Sequence, residues 1–167
     1  MRQVRLALQG FLGVLALTAP TAQAHPTGHG APVTTAAPMA DAGAAKVVDA
    51  FHAALARADT AAAADFLTDA MLVFEAGGAE RSKTEYASHH LPADAVFAEA
   101  VGSELTRRSG GASGNLAWVA SEGRTKGRYK DRDVDQVTTE TMVLQRVSGV
   151  WKIVHVHWSS RATAAKN

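Results

Sequence analysis

Side chains able to do chemistry gather in two stretches of the 167-residue chain. The first is the strand-like run Trp151-Lys152-Ile153-Val154-His155-Val156-His157-Trp158. Alternation along a strand predicts Trp151, Ile153, His155 and His157 on one face, the two imidazoles roughly 6.5–7 Å apart. Both could then reach one ligand, and imidazole titrates near neutrality, which suits proton transfer. The plainer reading is one hydrogen-bonded core histidine and one at the rim. The second stretch holds Glu75, Tyr86 and His90. Tyr86 and His90 are spaced to share a helix face, as are Glu85 and His89. Glu85 is committed to helix capping, which favours the first pair. A carboxylate or imidazole could trade a proton while the phenol donates to a developing oxyanion. Glu75, Tyr86, His90, His155 and His157 are therefore the candidate catalytic residues, against the alternative of surface pairs and a strand end. Trp118, Trp151, His155 and His157 are candidates for lining a ligand pocket, although indoles of this kind also serve as core.

Other chemistries are excluded or carry no signal. The chain has no cysteine, so disulfides, thiolate metal sites and cysteine nucleophiles are ruled out. No glycine-rich phosphate loop, HExxH or serine-triad motif occurs. Net charge is +1, too balanced for an extended nucleic-acid surface. No cofactor or metal is expected in the domain. His25 and His29 could weakly hold copper or nickel at a new N-terminus, or simply belong to a flexible tail.

The elements that must position these residues follow from patterning. Residues 1–24 combine Arg2 and Arg5, an apolar run and Ala22-Gln23-Ala24, the order of a cleaved secretory signal. Residues 25–43 form a Pro/Ala/Gly linker, the domain spans 44–161, and 162–167 is a tail. Val47, Val48, Phe51 and Leu55 predict an amphipathic helix over 44–58. Asp59 or Thr60 caps a second helix reaching Leu67. Residues 71–75 read as a strand with Met71, Val73 and Glu75 on one face, followed by a Gly77-Gly78 turn. Ser82-Lys83-Thr84-Glu85 is a capping box for a helix to about His90. Pro92 opens another over 92–100. Segments 102–109, 115–128, 133–147 and 150–160 alternate like strands of an antiparallel meander. Arg124, Lys126 and Arg128 against Asp131, Asp133 and Asp135 mark a solvated hairpin tip. Helices first and strands after predict an α+β fold.

This order, with Thr139-Glu140-Thr141 and the ending Gly149-Val150-Trp151-Lys152-Ile153-Val154-His155-Val156-His157, resembles the nuclear transport factor 2-like superfamily. Within it the resemblance is to the SnoaL-like and calcium/calmodulin-dependent kinase II association-domain branch. Glu75 to Ser82 with His89-His90-Leu91 resembles an exported bacterial subgroup. The resemblance implies a cone-shaped, curved antiparallel sheet closed by helices, with a pocket between them. It also implies frequent dimers through the outer sheet face. Relatives include isomerases, dehydratases, cyclases and non-catalytic assembly modules. The kinase domain carries pocket arginines where this chain has Ala120 and Trp158, which departs from that anion-binding pattern.

The expected protein is periplasmic or secreted. It binds a small, largely apolar molecule, with isomerase- or dehydratase-type acid–base chemistry; the alternative is a non-catalytic dimeric assembly or structural domain. The last strand is apolar on both faces, which predicts a homodimer through the face bearing Val154, Val156 and Trp158. No nucleic-acid partner is expected, and no membrane partner after signal cleavage.

Overall fold

The computed structural model describes residues 40–163. The segment 1–24 read as a secretory signal, most of the segment read as a linker with His25 and His29, and residues 164–167 lie outside the described residues. Helix α1 (Ala42–Ala56) starts where Asp41 accepts hydrogen bonds from the N–H groups of Gly43 and Ala44 at 3.0 and 2.9 Å. Ala44, Val48, Phe51 and Leu55 recur at helical spacing and are buried. Helix α2 (Thr60–Asp65) is capped by Asp59 and stops short of Leu67, which opens strand β1 (Leu67–Glu75). Ala76 and Gly77, both at positive φ, then turn the chain into β2 (Gly78–Glu80), a strand the sequence reading lacked.

Ser82 caps α3 (Lys83–Ser88) by accepting from the Glu85 N–H, while the Glu85 carboxylate accepts from the Arg81 N–H. That helix ends earlier than expected. His89, at φ −119° and ψ −72°, breaks the chain, and α4 (His90–Ala100) starts at once with Pro92 in its first turn. His90 therefore belongs to a different helix from Tyr86.

Strands β3 (Val101–Ser113), β4 (Leu116–Tyr129), β5 (Arg132–Val147) and β6 (Val150–Ala162) form the expected antiparallel meander. The sheet order is β2-β1-β6-β5-β4-β3. β1 pairs with β6 in parallel, so the sheet is mixed rather than wholly antiparallel. The α3–α4 excursion makes this possible, because it separates β1 from the meander that returns beside it. Val73, Val156, Met142 and Val119 occupy one cross-strand row and are almost wholly buried under the helices. Each such side chain contributes about 1.5–3 kcal/mol of burial.

One irregularity re-aims the last strand. Leu144 pairs with Ile153 but Val143 pairs with His155, so Val154 is an extra residue in β6. A bulge of this kind shifts the alternation by one. Trp151 and Ile153 point to the core, as do Val156 and, beyond it, Trp158. His155 and His157 point outward instead. This corrects the expectation of one face shared by Trp151, Ile153, His155 and His157. It also corrects the expected outer face, since Val156 is fully buried and Trp158 packs on Phe51.

Candidate functional site

The helix-facing side of the sheet changes character one layer beyond the apolar row. Register places Glu75, Trp158, Glu140, Ser121 and Arg108 in line across β1, β6, β5, β4 and β3. Two strand spacings put Glu75 and Glu140 about 10 Å apart, with the Trp158 backbone between them. Phe51 of α1 stacks on the Trp158 indole, with ring centroids at 6.3 Å, and Tyr86 tilts toward it at 6.5 Å.

Glu140 is 8% exposed. Its Oε2 accepts from His52 Nε2 at 2.6 Å and from Trp158 Nε1 at 2.7 Å, while Oε1 is buried without a partner. Burial pushes this carboxyl up, but His52, Trp158 and Arg108 outweigh it and hold Glu140 below its ordinary range. Arg108 itself donates to Asp49 of α1 at 2.7 Å.

The second cluster sits at the β1 end. Tyr86 is wholly buried and its hydroxyl donates to Asp94 Oδ2 of α4 at 2.7 Å. Burial, then the Asp94 and Glu75 carboxylates, push the phenol far above its ordinary range, so it stays protonated. Burial also raises Asp94, against the lowering pull of Tyr86 and His90. Glu75 is raised by burial and by Asp94, with His90 pulling down. His90 pairs with the buried Glu80. A cleft of about 250 Å³ opens where β1 stops alongside β6, lined by Glu75, Ala76, Gly77, His157, Trp158, Ser159 and Ser160. Among the described residues, no three His, Asp or Glu side chains are grouped to hold a metal ion.

Of the residues singled out from sequence, Glu75, Tyr86 and His90 come together around Asp94. His155 lies on the opposite side of the sheet against Phe74, with ring centroids at 5.1 Å. His157 also packs near Phe74 and reaches the cleft only at its outer wall. Trp118 is 40% exposed on that outer face, its indole over Gly111. Trp151 is at the far end of β6, where its N–H donates to Asp41 at 3.1 Å and the Arg146 guanidinium covers its ring. Of the two positions set against the kinase domain's arginines, only Trp158 is on the helix-facing side. Asp94, His52 and Glu140 were not among the candidates. Glu140 had left a signal: it shares strand parity with the buried Met142 and Leu144, an odd place for a charge.

The SnoaL-like domain family model matches residues 44–163. A candidate ketosteroid isomerase from Shewanella frigidimarina is 38% identical, with a TM-score of 0.69, covering 71% of this chain and 96% of that one. A candidate dehydratase of the NTF2-like family from Streptomyces avermitilis has a TM-score of 0.60 at 18% identity, over 72% of this chain and 95% of its own. The association domain of C. elegans calcium/calmodulin-dependent kinase II has a TM-score of 0.56 at 19% identity, over 69% and 91%. No curated protein matches the chain. The two distant structures share the fold alone, but the family match covers most of the chain. The chain belongs to the SnoaL-like domain family, on the nuclear transport factor 2-like fold.

Proposed function

We propose that the protein binds a small molecule in the cleft beside Glu75 and Trp158 and moves a proton on it, in isomerase- or dehydratase-type chemistry. The observation that carries this reading is the set of two raised carboxyls, Glu75 and Asp94, around a buried phenol that stays protonated. A carboxylate whose pKa rises toward neutrality is a better proton acceptor, and titratable groups driven off their ordinary values mark acid–base sites. Glu75, the carboxyl that borders the cleft, would take the proton, while its burial and then Asp94, held by the buried Tyr86 hydroxyl, keep the Glu75 pKa raised. The cleft wall is mostly polar, so the fitting ligand is a small polar molecule rather than the largely apolar one expected from sequence. Similarity to the candidate ketosteroid isomerase structure supports an isomerase-type reaction.

The test combines carboxyl titration by NMR with deuterium exchange into small carbonyl compounds, with and without an amine group. Glu75 and Asp94 should titrate above the ordinary carboxylate range. Tyr86→Phe should raise Asp94 further, because the phenol hydrogen bond lowers it. Exchange above the buffer rate should disappear in Glu75→Gln. Ordinary titration of both carboxyls with no exchange would remove this reading.

The dimer is proposed through the outer sheet face, re-assigned to the side chains that lie there: Leu72, Phe74, Val143 and Trp118.

A further inference from the structure

Three carboxyls converge on one imidazole beside the cleft. In the β1–β2 hairpin Val73 faces Glu80 and Glu75 faces Gly78. Glu75 and Glu80 are therefore diagonal neighbours on one face, about 7–8 Å apart. Helix α4 begins with His90 and carries Asp94 one turn later on the same side. The His90 ring pairs with Glu80 of β2, and its charge acts on Glu75 of β1 and on Asp94. Tyr86 of α3 joins the group through its hydrogen bond to Asp94. Among the described residues, His90 is the one positive group that acts on either Glu75 or Asp94, and no charge of α1 or α2 does so. Glu80 explains why the imidazole stands there. It is buried at the sheet edge, where a carboxylate without a cation is strongly unfavourable. The head of a helix is in turn a poor place for a cation, so the Glu80 carboxylate is what makes a charge on His90 tenable. The ring is 61% exposed and can exchange protons with water, and imidazole titrates near neutrality.

We propose that His90 is a positioning residue that acts through Glu75: its imidazolium, anchored by Glu80, keeps the Glu75 carboxylate ionised and free to take a proton from the ligand. When the imidazole is neutral, Glu75 holds a proton more tightly and is a less available base. This role rests on Glu75 being the proton acceptor, and it assigns the regulation of that same site.

The test follows the Glu75 side-chain carboxyl resonance against pH in the parent and in two variants at His90. His90→Gln removes the charge but can still donate to Glu80, and the Glu75 midpoint should move up. His90→Lys keeps a cation across the titration, and the midpoint should stay at or below that of the parent. The direction separates this role from a merely structural one. A loosened α4 would expose Glu75 to water and bring its midpoint down, because burial raises it. Should His90→Gln fail to fold with Glu80 left without a cation, Glu80→Gln is compared with the double variant Glu80→Gln, His90→Gln. Neither has a buried carboxylate at that position, and the same upward step is expected on losing His90. A Glu75 midpoint that is unchanged or lower on losing His90 would overturn the proposal. The step is read as a difference between variant and parent, whereas the proton-transfer reading fails on ordinary titration in the parent with no exchange, so the two failures are distinguishable.

Discussion

Asp94 and Glu140 are both shielded carboxyls on the helix side of the sheet, yet their surroundings push them in opposite directions. Glu140 has an imidazole and an indole N–H on one oxygen, and these outweigh its burial. Asp94 has one phenol donor against burial, and burial wins. The consequences for stability have opposite signs. Glu140 contributes stability above its unfolded value and loses it as pH falls through its lower folded value. Asp94, raised in the fold, is favourable while protonated and loses that contribution as pH rises through its folded value. Asparagine cannot ionise but can still accept from Tyr86. Asp94→Asn should therefore melt about 3–5 °C higher than the parent at about pH 8, for roughly 1 kcal/mol, and alike at about pH 4. Thermal melts across that range check this; a variant less stable at both ends would show that the ionised carboxylate is favourable where it sits.

At the scale of elements, the bulge in β6 decides which residues can reach the site. Were Val154 counted in regular alternation rather than extra, Val156 and Trp158 would turn outward and His155 and His157 would enter the core. Deleting Val154 removes only the extra residue, keeps every facing beyond it and should leave the cooperative fold, whereas inserting one alanine after His155 turns Val156 and Trp158 outward and should abolish it. Circular dichroism melts of the two variants make the comparison; an insertion variant as stable as the deletion one would mean that register is set elsewhere. The same irregularity explains what could be read in advance. Helix α1, the meander and the facing of Met71, Val73 and Glu75 follow from regular periods, and the periods were visible. The bulge carries no glycine or proline to mark it, so alternation counted from Trp151 gives the wrong face beyond Ile153. Pro92 marked a break between two helices but left its place open by two residues. The break at His89 moved His90 to the head of α4 and let Asp94, not His90, meet the Tyr86 hydroxyl. The parallel β1–β6 pairing joins segments far apart in sequence and has no local signal.

For the whole molecule, the outer sheet face poses the remaining problem of burial. One row across it runs Leu72, His155, Val143 and Trp118, and the next runs Phe74, His157, Thr141 and Ala120. Leu72, Phe74 and Trp118 are 37%, 39% and 40% exposed, far more than the core side chains beneath them. Neither row contains a lysine, arginine, aspartate or glutamate, so a second copy could meet the face without like-charge repulsion. His155 Nδ1 is shielded there without a hydrogen-bond partner, and such an orphan favours an arrangement that supplies one. A two-fold contact through these rows is the proposed dimer. Phe74→Asp tests it, because the residue is already partly exposed in the single chain and the sheet's buried side is untouched. The variant should fold with a melting curve close to the parent at low concentration, yet run as a monomer in light scattering where the parent runs as a dimer. A charge buried unpaired at the contact would weaken association at least about 100-fold, for a few kcal/mol. A parent that is monomeric throughout, or a variant that dimerises as the parent does, would exclude this face as the contact.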